Sequence, residues 1–266
     1  MDEIDEFLIL IRKSKYIVAF TGAGISVESG IPQFRGKEGL WEKYSPEIYG
    51  TLPGLIFQFF LFPKKVVQFI YDFTYPILNA KPNISHIGLS ELEKIGYLKS
   101  IITQNIDNLH QKAGSKNVIE LHGNLYNWRC KKCNKREFVD EKRLTEFIEG
   151  MKKIEGKRNL IRYILNFIKC DCGGNKRPDI VFFGELLPEE EFKKAKIESK
   201  RADLFIIIGT SGIVRPASDL PYIAKRNGAK IVEINKEESY FGNISDLVFY
   251  QSSGEIFEYL FKKGSL

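Results

Sequence analysis

The chain has 266 residues, of which 43% are apolar, 28% charged and 13% aromatic. These are globular proportions, enough for one large or two small domains, and they exclude disordered, collagen-like and disulfide-scaffold chains. The formal net charge is +6, but residues 129–177 carry 15 Lys or Arg against 7 Asp or Glu, so one segment is basic and the rest nearly balanced. A solvated lysine-rich surface is one reading of that segment, and a face for an acidic partner such as nucleic acid is the other. No apolar run approaches the ~18–20 residues of a membrane span. The start, MDEIDEF, is acidic where a secretory leader is basic. A cytoplasmic protein with no membrane contact is therefore expected.

Helical periodicity opens the chain at Ile4–Lys13, with apolar residues at 4, 7, 8 and 11. A strand follows at Tyr16–Phe20, then a glycine-rich loop. Gly36–Asn79, rich in Phe, Tyr and Pro, breaks the pattern and reads as irregular or helical. Ser85–Ile95 is a helix opened by a Ser cap, and Ser100–Thr103 and Val118–Leu121 are strands. Asn127–Arg177, with the cysteines and the charge, is a second interruption. Beyond it the predicted elements are strand Ile180–Phe183, helix Pro188–Ala202, strand Leu204–Ile208, helix Ser218–Asn227, strands Lys230–Ile234 and Leu247–Tyr250, and helix Gly254–Lys263. Several strand runs are continuously apolar, as in strands buried on both faces. The alternation predicts an α/β fold, a doubly wound parallel sheet with right-handed crossovers. The two interruptions predict a smaller second domain over the sheet.

In such a sheet, ligands bind at the carboxyl ends of the strands. Six predicted strands end in small, amide, hydroxyl or imidazole groups: Thr21-Gly22-Ala23-Gly24, Gln104-Asn105-Ile106-Asp107, His122-Gly123, Gly184-Glu185, Gly209-Thr210-Ser211 and Asn235. Their convergence points to a polar ligand large enough to reach them all. Gly22 and Gly24 would let backbone N–H groups approach a phosphate. The loop departs from GxGxxG, with Val27 where a third glycine would stand, and no ribose-gripping acid follows, so a diphosphate ligand is supported and hydride transfer is not.

All four cysteines fall in two close pairs, Cys130-x2-Cys133 and Cys170-x-Cys172. Four thiolates suit tetrahedral zinc with every position filled, a structural site; redox-active or merely buried thiols are the alternative. Of three histidines, His86 and His110 lie in helical patterns and read as structural. His122 ends a strand on the ligand edge, where a catalytic role and a structural one are both open.

These residues taken together resemble the sirtuins, the NAD-dependent protein-lysine deacylases. Gly22 to Gly36 resembles their GAGxSxxSGIPxFRG signature, Thr103–Asp107 with Leu109-His110 their TQNIDxLH, and Glu120–Gly123 their ELHG. Pro178–Glu185 resembles PxIVFFGE, and Gly209–Pro216 resembles GTSxxVxP. The resemblance covers about residues 16–240.

It implies a Rossmann-like NAD-binding domain formed by residues 1–35, 80–126 and 178–266. A helical, cofactor-loop module at 36–79 and a zinc module at 127–177 would form the small domain. The implied cofactor contacts are Gly22, Ala23, Gly24, Phe34, Arg35, Gln104, Asn105, Ile106, Asp107, Gly209, Thr210, Ser211, Asn235 and Ser253. His122, as general base, and Asn105 are the implied catalytic residues. Val181, Phe183, Gly184 and Val214 would bind an acyl-lysine protein or peptide, lying as an added strand. Cys130, Cys133, Cys170 and Cys172 would hold one structural Zn2+. The expected products are deacylated lysine, nicotinamide and O-acyl-ADP-ribose.

Family members that remove acidic acyl groups carry a Tyr-x-x-Arg pair, where this chain has Ile70 and Phe73, so neutral acyl groups are expected. A mono-ADP-ribosyl transferase on the same scaffold and a zinc-ribbon nucleic-acid-binding protein are the competing readings. The basic zinc module could make a weak contact with an acidic partner under any of them.

Overall fold

A strand such as Leu204–Ile208, apolar at every position, needs cover on both faces, and the fold supplies it. The computed structural model describes residues 3–34 and 39–263. In chain order the first elements are α1 (Glu3–Lys13), β1 (Ile17–Thr21), a 3-10 helix (Ala23–Ser29), α2 (Leu40–Lys43), α3 (Pro46–Tyr49), α4 (Leu52–Leu61), α5 (Pro63–Asn79) and α6 (Ile84–Lys94). Then come β2 (Leu98–Thr103), α7 (Leu109–Lys112), β3 (Val118–Glu120), β4 (Gly123–Cys130), β5 (Arg136–Phe138), α8 (Glu141–Lys153), α9 (Lys157–Ile168) and β6 (Lys176–Ile180). The chain closes with α10 (Glu189–Arg201), β7 (Leu204–Ile208), α11 (Asp219–Arg226), β8 (Lys230–Ile234), β9 (Leu247–Phe249) and α12 (Ser253–Lys262).

Six strands form a parallel sheet in the order β3-β2-β1-β7-β8-β9. Ile17, Ala19, Leu204, Ile206 and Ile208 pack on one face with residues of α1, α6 and α12. Val18, Phe20, Phe205 and Ile207 pack on the other with residues of α10 and α11. The chain runs outward from β1 in one direction and from β7 in the other. Their adjacent carboxyl ends are therefore the topological switch point, where a crevice opens.

The first interruption is helical, α2 to α5 among the described residues. The second contains two unforeseen helices. In α8, Asp140 caps by accepting from Arg143 N, and Leu144, Phe147, Ile148 and Met151 recur at helical spacing on its buried side. They meet Val67, Ile77, Leu78 and Trp128 in a separate core. The small domain thus has its own apolar centre.

Two sequence expectations are corrected. The strand expected at Ile180–Phe183 in the main sheet is β6, ending at Ile180, and it pairs antiparallel with β4 in a second sheet, β5-β4-β6. Helix α6 is capped by Asn83, which accepts from Ser85 N and His86 N, and not by Ser85.

Candidate active site and metal centre

The glycines of the first loop meet the end of β7 and Gly209 just beyond it. Gly22 N donates to Ile208 O at 3.0 Å and Gly24 N to Gly209 O at 2.8 Å. A Cβ on Gly24 would lie 2.5 Å from Gly209 Cα, and one on Gly209 2.6 Å from Gly24 Cα. Backbone-to-backbone packing therefore demands glycine here. This corrects the expected reason: the N–H groups of Gly22 and Gly24 are taken by the carbonyls of Ile208 and Gly209.

Above this seam lies a continuous cavity of about 1220 Å³, reaching from the switch point into the small domain. It exceeds the roughly 300–1,000 Å³ of a drug-sized site and has room for a dinucleotide beside a side chain. Every cofactor, catalytic and substrate position expected from the sequence lines it, except Arg35, which lies outside the described residues. The Gly184–Glu185 turn reaches the cavity although it does not follow a strand of the main sheet.

His122 stands where β3 gives way to β4. Its Nδ1 lies 2.9 Å from Gln104 O. A carbonyl only accepts, so Nδ1 carries the proton and Nε2 of the neutral ring is a lone-pair base. Burial lowers the His122 pKa below its ordinary value, against the opposing pull of Gln104 O, so the neutral ring dominates at pH 7.

The Gln104–Asp107 turn is tied down on all sides. Asn105 Nδ2 donates to Gly22 O at 3.0 Å and to Ser26 Oγ at 3.2 Å, which turns the amide and leaves Oδ1 for a ligand. Asp107 accepts from Ser26 Oγ at 2.7 Å and from Leu109 N at 2.9 Å; burial raises its pKa while these donors oppose the rise. Gln104 Nε2 reaches Thr210 Oγ1 at 2.9 Å. Ile106 binds through its backbone, accepting from Leu125 N at 3.0 Å.

On the far side, Asn235 holds Thr210 at both ends. Its Oδ1 accepts from Thr210 N at 2.9 Å, and its Nδ2 donates to Thr210 O at 3.2 Å and to Glu233 Oε1 at 2.6 Å. Glu233 is buried and also accepts from Ser245 Oγ. Sequence reasoning missed Glu233, although an acid inside an apolar five-residue strand is itself a signal. Ser253 Oγ accepts from Ser85 Oγ at 2.8 Å, while Ser252 caps α12.

The remaining wall is apolar. Phe34 stacks near Trp41 and Phe73, with centroids 5.6 and 6.0 Å apart, and Trp41 also meets Phe183 at 5.8 Å. Trp41, one of two tryptophans, is the second residue the sequence reading passed over. Ile70 and Phe73 both line the cavity. Val181 N donates to His122 O, Phe183 N donates to Gly50 O, and Val214 completes the rim. Glu185 pins this turn: it takes both guanidinium nitrogens of Arg177 at 2.6 Å and accepts from Phe182 N.

The four cysteine Sγ atoms lie within 4.8 Å of one another, with Cys130–Cys172 at 3.5 Å and Cys133–Cys170 at 3.8 Å. Zinc–sulfur bonds of ~2.3 Å in a tetrahedron place the sulfurs about 3.8 Å apart, so this donor set fits zinc. The close second pair is explained by a tight hairpin closed by the Lys169–Asn175 bridge. Amide donors, that of Cys133 foremost, bring the Cys130 thiol down to about 6. Strand β4 runs from beside His122 to Cys130, and its ends pair with Ile180 and Lys176, four residues apart on β6, so at ~3.4 Å per residue about 14 Å of sheet lies between His122 and the cysteines. Four thiolates fill a tetrahedral zinc and leave no open position, which makes this a structural site.

The Sir2 family signature matches residues 22–216. The chain is 43% identical to an NAD-dependent protein deacylase of Pyrococcus furiosus, covering 93% of this chain and 92% of that protein. It is 39% identical to an NAD-dependent protein deacetylase of Thermotoga maritima, covering 99% of each. A solved Sir2 with a deacetylated p53 peptide and 3'-O-acetyl ADP ribose superposes with a TM-score of 0.81, at 38% identity and 99% coverage of each chain. A Sir2 homologue in complex with ADP ribose also gives 0.81, at 40% identity, covering 100% of this chain and 99% of that one. With sequence, fold and cleft in agreement over nearly the whole length, the chain belongs to the Sir2 family.

Proposed function

We propose that the protein is an NAD-dependent protein-lysine deacylase favouring neutral acyl groups. The observation that carries this is the neutral His122, fixed by Gln104 O with Nε2 as its basic atom, in a cavity that joins polar strand ends to an apolar wall. NAD, when bound, supplies a ribose carbon from which nicotinamide departs and hydroxyls that receive the acyl group. Thr210, Ser211 and the Gly22–Gly24 loop, through Ala23 between its two engaged glycines, would hold its phosphate and adenosine side, with Asn235 acting by fixing Thr210. Asn105 Oδ1, Gln104 and Asp107 would face its nicotinamide side. His122 Nε2 takes a proton from a ribose hydroxyl. Phe34 and Trp41 keep water from the reacting carbon, and Val181, Phe183, Gly184 and Val214 seat the acyl-lysine strand. The module boundaries at 35/36, 79/80, 126/127 and 177/178 belong to this reading. So does a weak contact of the basic zinc module with an acidic partner, which must weaken as salt rises.

Ile70 and Phe73 offer no cation to a succinyl carboxylate, whose unpaired burial costs several kcal/mol, so discrimination on the order of a hundredfold is expected. The test incubates the protein with NAD and peptides bearing acetyl- or succinyl-lysine, following nicotinamide release and peptide mass together. Peptide-dependent release with loss of the acetyl mass is expected. His122→Ala should lower the rate about 10²–10⁴-fold with the fold retained. Release without peptide, with label on protein, supports ADP-ribosyl transfer instead, and equal turnover of succinyl-lysine removes the neutral-acyl assignment.

A further inference from the structure

Helix α4 has one polar side chain, Gln58, yet none of its residues is buried. A helix apolar all round ordinarily lies inside a protein. One side of α4, with Leu52, Leu55, Ile56 and Phe59, lines the cavity. The other presents Phe57, Phe60 and Leu61 to solvent, 64%, 62% and 54% exposed, and Phe62 continues the patch. Single exposed apolar residues are ordinary, but four adjacent ones form a patch that marks an interaction surface.

Cations rim this patch. Lys157 of α9 donates to Phe60 O at 2.7 Å and lies 5.2 Å from the Phe60 ring centroid. Lys65 lies 5.0 Å from the Phe62 ring, and Lys64 is exposed beside it. Between Glu47 and Asp72 the chain has no acid; on the α9 side, Glu155 stands among Lys152, Lys153, Lys157 and Arg158.

This charge pattern selects the occupant. A second copy would meet the patch with itself, as two-fold interfaces do, bringing Lys64, Lys65 and Lys157 against their own copies. An anionic lipid surface instead takes the phenyl rings at its acyl boundary and the lysines against its phosphates. We propose that α4 and its lysine rim dock the protein on an anionic phospholipid surface. This departs from the expectation of no membrane contact, which rested on the lack of a spanning run. Surface docking needs no such run, and no helix among the described residues is long and apolar enough to cross a membrane. The inference goes beyond the deacylase reading and does not depend on it.

The test is flotation of the full chain with phosphatidylcholine vesicles, with and without phosphatidylglycerol, in the absence of NAD and peptide. Partition should be about a hundredfold stronger on the anionic vesicles, from three lysines near a charged surface, and should fall as salt rises. The double variant Phe57→Ser, Phe60→Ser should lower partition on the order of tenfold or more with an unchanged melting transition. Lys64→Gln with Lys65→Gln should reduce the preference for anionic vesicles. Equal partition onto both vesicle types, or no effect of the phenylalanine variant, overturns the proposal. Self-association abolished by that variant, without vesicle binding, also overturns it and assigns the patch to a second copy.

Discussion

Acid should unfold this protein through a histidine that takes no part in its chemistry. His86, on α6, is fully buried; its Nδ1 meets Asn83 Oδ1 at 3.0 Å, and its Nε2 has no hydrogen-bond partner among the described residues. The ring of His110 lies 5.0 Å away, its Nε2 on Thr21 Oγ1 and its Nδ1 likewise without partner. Burial pushes His86 down from 6.5 to about 4, and burial followed by the His86 charge pushes His110 well below its ordinary value. The unfolded chain takes up protons near pH 6.5, while the folded one does not until far lower. The stability is therefore fully present above 6.5 and is lost as pH falls toward 4, where the His86 contribution levels off. The gap between 6.5 and about 4 is worth about 3 kcal/mol, of which about 2 kcal/mol is lost between pH 7 and pH 5. His110 adds in the same direction. Urea unfolding at both pH values would be compared with that of His86→Gln, whose amide can complete the Asn83 capping box but does not titrate. The variant should lose about 2 kcal/mol less over that interval. Equal losses in both proteins would refute the reasoning.

Three further outcomes follow from the site. Because burial lowers the His122 pKa from 6.5, the acid limb of kcat/KM should be centred below 6.5; an acid limb centred at or above 6.5 contradicts the lowered value. Cys130→Ala, or stripping metal with a chelator, should abolish cooperative unfolding of the small domain by calorimetry, and a metal-free protein with an unchanged transition would rule out a structural role. Glu233→Leu frees Asn235 from its anchor and should raise the KM for NAD about five- to tenfold with kcat less affected; an unchanged KM would show that Asn235 holds Thr210 unaided.

The main sheet was legible because its strands are buried on both faces, and burial alone produces runs such as Leu204–Ile208. The metal site was legible because four thiols in two short spacings leave few other chemistries. Elements whose identity depends on a distant partner were not. Ile180–Phe183 reads as a buried strand, but nothing local says that residue 180 pairs with Gly123 in another sheet. The charges of Glu141–Lys153 masked the apolar side formed by Leu144, Phe147, Ile148 and Met151, though its spacing is plainly helical. At the site, the residue types that line the cavity could be read off the strand ends, whereas their couplings could not. That Gly24 packs on Gly209, or that Asn235 spends its amide on Thr210, is settled by chain segments far apart in sequence.

The seam between Gly24 and Gly209 behaves like a dovetail joint. Each residue already has the smallest side available, so bulk added to one half cannot be absorbed by trimming the other. No second-site change restores the fit, and the two strand mouths keep one spacing whatever acyl group arrives. Variation in what the protein accepts must then be written on the apolar wall of Phe34, Trp41, Ile70 and Phe73, where side chains can be exchanged without parting the joint.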